Sequence, residues 1–132
     1  MNSIPMRYRQ SPVQAGQGRF LRPDAAGFLY IDRAQFFARD VSATEASVMA
    51  AAQKPIIGNA FSASVEQPAW KTIPSWYLIA QEDRAINPEL ERFHAKRMGA
   101  ETSEIKASHL PFISHPGEVA RLIEQAASAA ER

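Results

Sequence analysis

The sequence predicts an α/β fold in which a short parallel sheet is flanked by helices. Residues 75–81 form an almost unbroken apolar and aromatic run, which is typical of a strand buried on both faces. From this run onward the chain twice follows the order strand, loop and helix. Because right-handed crossovers connect parallel strands, this order predicts two parallel strands covered by helices. The length of 132 residues fits one compact domain.

Little regular structure is predicted for the N-terminal part of the chain. Residues 1–19 mix Pro, Gly, Gln and Ser without a sustained period, so we expect an irregular lead-in. Residues 20–31 read as two short extended pieces around a turn. Asp32 is then expected to cap a short helix.

A longer helix is predicted over residues 43–53. Ser42 stands three residues before Glu45, the spacing at which each side chain bonds a backbone N–H near the other. Pro55 ends this helix because proline has no N–H and disfavours the α conformation in the residue before it. Small alanine side chains on one face suit the helix to close packing.

A second helix is predicted directly after the apolar strand. Asn87 supplies an N-cap and Pro88 occupies the first helical position, where a missing N–H costs nothing. Gly99 is expected to end the helix in the left-handed conformation. Leu90 and Phe93 are expected to face inward.

The C-terminal residues complete the pattern. We predict a second strand at residues 102–107 and a loop at residues 108–114. Pro116 is expected to open a final helix. Residues 71–132 therefore read as a β-α-β-α unit.

Charge and composition exclude several classes of function. The formal net charge of +1 provides no field for gripping a nucleic acid, and zero cysteines exclude disulfides and thiolate metal sites. We find no apolar run long enough to cross a bilayer and no signal-peptide core. A cytoplasmic soluble protein is expected, with no metal or cofactor and with neither nucleic acid nor membrane as a partner.

Two titratable side chains follow the two predicted strands. Asp83 comes directly after the first strand and His109 directly after the second. Because the carboxyl ends of parallel strands meet at one edge of the sheet, we expect these side chains to lie together. A carboxylate against one imidazole nitrogen fixes the tautomer and leaves the other nitrogen as a base. The plainer alternative is an aspartate that caps its loop and a histidine satisfied within its own loop.

The C-terminal segments resemble a known family. Residues 74–89, the pair Ser108-His109 and residues 114–120 are similar to the C-terminal part of α/β-hydrolase-fold enzymes. The most similar branch is that of small esterases which include hydroxynitrile-lyase-like and pyrethroid-hydrolase-like enzymes. The resemblance implies that Asp83 is the acid and His109 the base of a catalytic triad.

The same resemblance implies a division of the chain. Residues 20–70 are similar to the helical lid, or cap, of that branch. Residues 71–132 are similar to the final part of its core. The expected architecture is therefore a partial α/β-hydrolase fold with a helical lid remnant.

One part of the family pattern is missing from the sequence. These enzymes carry their nucleophilic serine in a G-x-S-x-G elbow, with an oxyanion loop earlier in the chain. No serine in the 132 residues has glycines at the two flanking offsets. We therefore expect a protein of carboxylic-ester hydrolase ancestry that is inactive alone or is complemented by another chain. The sequence leaves open whether the chain is a natural gene product or a fragment.

Other functions remain open at this point. The remnant could be a non-enzymatic module that binds a protein or a small ligand, or His109 could activate water directly. With only two core strands predicted, the open edge of the sheet is expected to be covered by self-association or by a partner chain. A small ester or an apolar ligand is the expected small-molecule partner.

Overall fold

The computed structural model describes residues 21–31, 38–58, 60 and 63–130. The strands are β1 (Leu21–Pro23), β2 (Phe28–Ile31), β3 (Ile56–Ile57), β4 (Trp76–Ala80) and β5 (Glu101–Ile105). The helices are α1 (Ala43–Ala52), α2 (Pro88–Met98), α3 (Pro111–Ser114) and α4 (Pro116–Ala130). The lead-in expected at residues 1–19 and the short helix expected after Asp32 lie outside the described residues.

The two extended pieces predicted near the start form an antiparallel hairpin. Strands β1 and β2 pair antiparallel, and β3 pairs antiparallel with β2 to give a three-stranded sheet. Asp24 shapes the turn, because its Oδ1 accepts the N–H groups of Ala26 and Phe28 at 2.9 Å each. Gly27 has φ of 83°, a conformation that favours glycine. The turn prediction is confirmed.

Helix α1 begins at the predicted capping box. The Ser42 hydroxyl accepts the Glu45 N–H at 3.2 Å, and the Glu45 carboxylate accepts the Ser42 N–H at 3.2 Å. The helix ends at Ala52, shortly before Pro55. Cap and stop signals therefore placed both ends of this helix correctly.

The alanine face of α1 packs toward the loops that follow the parallel strands. Ala38 and Ala46 are buried and form a small core cluster. Four partly buried apolar residues pack against this cluster: Val41, Met49, Ala85 and Leu110. Since two of them come from the C-terminal part of the chain, α1 is held over the carboxyl ends of the parallel strands.

The predicted parallel strands are confirmed, and so is the α/β class. Strands β4 and β5 pair in parallel from Trp76 opposite Glu101 to Ala80 opposite Ile105. Helix α2 connects them and packs on β4. Strand β5 is shifted from the predicted 102–107, because the backbone bends after Ile105 and the Ala107 N–H donates back to the Ile105 carbonyl.

Helix α2 has the predicted ends but a different buried face. The Asn87 side chain accepts the Glu89 N–H at 2.9 Å, and Gly99 adopts φ of 63° at the C-terminus. The inward orientation expected for Phe93 is wrong, because its side chain is 51% exposed. The buried residues of the helix are Leu90, Glu91 and Ala95. The helix is thus rotated so that an acidic side chain lies inside.

The residues after β5 form two helices. A one-turn helix, α3, occupies part of the segment expected to be a loop at residues 108–114, and α4 begins at Pro116 as predicted. Helix α4 has no buried residue, and Ile123 is largely exposed. Among the described residues, none of the helices has the length and apolar character needed to cross a lipid bilayer.

Candidate active site

Asp83 lies just beyond the carboxyl end of β4. The Asp83 N–H donates to the Ala80 carbonyl at 3.1 Å, which closes a tight turn after the strand. Its Oδ1 accepts the N–H groups of Ala85 at 2.6 Å and Ile86 at 2.9 Å. The side chain is only 1% exposed. The turn therefore both buries the carboxylate and holds it in one orientation.

His109 lies beyond the carboxyl end of β5 and faces Asp83. Its Nδ1 lies 2.6 Å from the Asp83 Oδ2. The carboxylate accepts, so the ring donates its Nδ1–H and Nε2 is left as the basic nitrogen. The two residues predicted from the strand ends are thus in hydrogen-bonding contact.

The surroundings make His109 a stronger base than a free histidine. The hydrogen bond to Asp83 raises the pKa of His109, burial opposes this effect, and the charges of Asp83 and Glu91 add to it. The imidazole keeps 28% of its surface exposed. Its position is therefore buried enough to be oriented and open enough to be reached.

Glu91 is a third titratable group at this place, and the sequence analysis missed it. It projects from α2, and its Oε2 accepts the N–H of Ala80, the last residue of β4, at 2.9 Å. Burial, followed by the Asp83 charge, raises the pKa of Glu91 to about 7. The feature that could have indicated a buried Glu91 is its position beside Leu90, on the face of α2 that packs on β4.

A second cluster, which the sequence analysis also missed, anchors the His109 loop. Asp40 Oδ2 accepts the Ser108 N–H at 2.9 Å and the Ser114 hydroxyl at 2.6 Å, and the Ser108 hydroxyl donates to Oδ1. His115 Nδ1 lies 2.8 Å from the Ser114 hydroxyl. Asp40 thus ties the segment before α1 to the residue preceding His109.

The charge state of Asp40 follows from these contacts. Burial alone would raise the pKa of Asp40, but the hydrogen bonds from Ser108 and Ser114 outweigh it and lower the pKa. The carboxylate is therefore ionised at neutral pH and acts as a fixed acceptor. Its role here is to hold the His109 loop in place.

A polar cleft of about 530 Å³ opens beside this anchor. Its lining carries charges of both signs and consists of Arg39, Asp40, Gln81, Glu82, Asp83, Arg84, Pro88 and Ser108. His109 does not line the cleft. In the described part of the chain, we find no group of three potential ligands arranged to hold a metal ion.

Comparison with known proteins identifies the family. Residues 2–122 match the model of the Alpha/beta hydrolase family. The match covers most of the chain, so the protein belongs to this family. A search of curated proteins gave no match. The partial α/β-hydrolase fold expected from the sequence is confirmed in this sense, with short sheets flanked by helices.

Proposed function

We propose that this chain supplies the general base and the orienting acid of a carboxylic-ester hydrolase. The observation that carries the proposal is the 2.6 Å contact between His109 Nδ1 and Asp83 Oδ2 at the ends of two parallel strands. Family membership supports it, because triads of this family pair a histidine with an acidic residue that precedes it in the chain. The branch of small esterases resembled by residues 74–89 is the proposed ancestry.

In this function, His109 moves a proton twice. Its Nε2 accepts the proton of a serine hydroxyl while the serine oxygen bonds the ester carbonyl carbon. The proton then passes to the leaving alkoxide as the carbon–oxygen bond breaks, which leaves an acyl-serine. Water then attacks the acyl-serine while His109 accepts its proton, and His109 returns the proton to the serine oxygen as the carboxylic acid is released. Throughout, Asp83 holds the Nδ1–H and stabilises the imidazolium.

The serine must come from outside these 132 residues, because the sequence contains no G-x-S-x-G elbow. The oxyanion donors, which stabilise the charge that develops on the carbonyl oxygen, must come from the same source. We therefore propose that the chain is active only together with a polypeptide that carries both the nucleophilic serine and the oxyanion donors. Alone, it presents a base with nothing to activate.

A complementation assay tests this function. The purified chain is mixed with a separate polypeptide that carries an α/β-hydrolase elbow and oxyanion loop, and hydrolysis of a short-chain p-nitrophenyl ester is followed. We expect hydrolysis by the mixture but by neither component. It should fall by about 10³-fold or more in His109→Ala, because the serine loses its base.

His94→Ala is the matched control for the complementation assay. His94 lies on α2, where its ring packs edge-on against Phe93. This variant should keep the hydrolysis of the unmodified mixture. Hydrolysis that is equal in the His109→Ala mixture and the unmodified mixture would refute the proposed function.

A second candidate function is a binding module without catalysis. It is favoured by large apolar side chains that are exposed, among them Phe93, Phe112, Ile113 and Ile123. Such surface is suited to a second copy of the chain, a partner chain or an apolar ligand such as a small ester. Light scattering after size-exclusion chromatography tests it, because a monomer that binds none of these would rule this function out.

A further inference from the structure

The His109–Asp83 pair is backed by a buried carboxyl group, that of Glu91. This residue is 5% exposed although it belongs to the first turn of a helix, where acidic side chains normally face solvent. Its Oε2 accepts the Ala80 N–H at 2.9 Å, and the Ala80 carbonyl accepts the Asp83 N–H at 3.1 Å, so Glu91 bonds the residue that closes the Asp83 turn. Three titratable groups from α2 and from the two strand ends therefore form one connected cluster.

Burial accounts for the protonation of Glu91. Burial is the largest cause that raises the pKa of this carboxyl group to about 7, and the Asp83 charge adds to it. The Asp83 carboxylate is held in place by three donors, the N–H groups of Ala85 and Ile86 and the ring of His109. Near neutral pH, Glu91 can therefore exchange a proton beside a carboxylate whose position is fixed.

We propose that Glu91 is a positioning residue that acts through Asp83, holding that carboxylate against His109 and setting how strongly His109 retains a proton. In the neutral form, Glu91 holds the Ala80 N–H and adds no charge. In the ionised form, it adds a second negative charge to the cluster, which favours the imidazolium. Its consequence for ester hydrolysis rests on the proposed function, whereas its effect on His109 does not.

The electrostatic interactions within the cluster support this influence of Glu91 on His109. Among the described residues, Asp83 and Glu91 are the groups whose charges act on His109, and Asp83 and His109 are those whose charges act on Glu91. The Asp83 charge raises the pKa of Glu91 and the His109 charge lowers it. Proton loss by Glu91 and proton gain by His109 therefore favour one another, and the two groups titrate as a pair.

An NMR titration of the His109 ring tests the proposal on the chain alone. The Cε1–Hε1 signal is followed from pH 5 to 9 in the unmodified protein and in Glu91→Gln, and it is assigned by its loss in His109→Gln. Glutamine mimics neutral glutamic acid, because its oxygen can accept the Ala80 N–H and it carries no charge. We expect the midpoint of His109 to fall by on the order of one pH unit in Glu91→Gln.

The control for the titration is Glu89→Gln. Glu89 lies on the same helix but is exposed and pairs with Arg92 at 2.5 Å. Its variant should reproduce the unmodified His109 curve. Superimposable His109 curves in the unmodified protein and Glu91→Gln would overturn the proposal.

The titration and the ester assay fail independently. A lowered midpoint without complementation would reject the proposed function and uphold the positioning role. Complementation with an unchanged His109 midpoint would uphold the proposed function and reject the positioning role of Glu91. Glu91→Met supplies a second readout, because a nonpolar side chain cannot accept the Ala80 N–H beside the Asp83 turn. It should alter the ¹⁵N shifts of the His109 ring, and unaltered shifts would again count against Glu91.

Discussion

Asp83→Asn is expected to move the His109 proton from Nδ1 to Nε2. The amide oxygen of asparagine can still accept the N–H groups of Ala85 and Ile86, which Oδ1 accepts at 2.6 and 2.9 Å. The amide nitrogen then stands where Oδ2 faces the ring at 2.6 Å. Because this nitrogen donates, Nδ1 must accept, and the neutral ring carries its proton on Nε2.

This change removes the base without removing the histidine. A protonated Nε2 cannot accept the serine proton, so hydrolysis in the complemented assay should fall by about 10⁴-fold. The pKa of His109 should also fall, because the Asp83 hydrogen bond is the main cause that raises it. The ¹⁵N shifts of the imidazole report the tautomer directly.

Asp24→Asn is a matched control for this experiment. Asp24 also accepts two backbone N–H groups through one oxygen, but it does so in the β1–β2 hairpin. Its variant should leave the His109 tautomer unchanged. An Nδ1–H ring that persists in Asp83→Asn would show that the carboxylate does not orient His109.

The contact between Asp83 and His109 could be predicted because it follows from topology. A run of apolar residues ending at Ala80 identifies β4, and the cap signals at Asn87 and Gly99 identify the crossover helix. Once β4 and β5 are parallel, the residues that follow them must meet at one edge of the sheet. Local signals and one topological rule are therefore sufficient for this part of the site.

The remaining parts of the site depend on contacts that local signals do not encode. Asp40 meets Ser108 across 68 positions of sequence, and no pattern near either residue specifies the other. Glu91 occupies the first turn of α2, where an acidic residue is ordinarily explained by the helix dipole. The size and apolar character of Phe93 predict an inward position, but Glu91 is buried, where it accepts the Ala80 N–H, and Phe93 is exposed.

Glu91 should also determine how the stability of the protein depends on pH. Burial raises the pKa of Glu91 to about 7 in the folded chain, against 4.5 for an unperturbed glutamic acid. Between these values, the folded state binds more protons than the unfolded state. The free energy of unfolding therefore falls as pH rises from 4.5 to about 7 and becomes level above that. The total loss from this group is at most about 3 kcal/mol.

His109 contributes a loss in the same direction but at higher pH. Its pKa is raised in the folded chain, so its contribution is fully present below the unfolded value of 6.5 and is lost as pH rises through the folded value. Asp40 acts in the opposite direction in acid, because its pKa is lowered. The protein should consequently be most stable at mildly acidic pH.

Glu91→Gln is therefore expected to remove the first part of this decline. Glutamine keeps the neutral hydrogen bonds of Glu91 and does not ionise, so the variant should lose little stability between pH 5 and 7. Compared with the unmodified protein, it should be equally or less stable at pH 5 and more stable at pH 8. Urea unfolding followed by tryptophan fluorescence at several pH values measures this crossing.

Glu89→Gln is the control for this experiment. Its free energy of unfolding should change with pH as that of the unmodified protein does, because Glu89 is exposed. If the stability of Glu91→Gln also changed with pH as that of the unmodified protein does, Glu91 would have to be ionised in the folded chain at neutral pH, and its pKa would not be raised by burial.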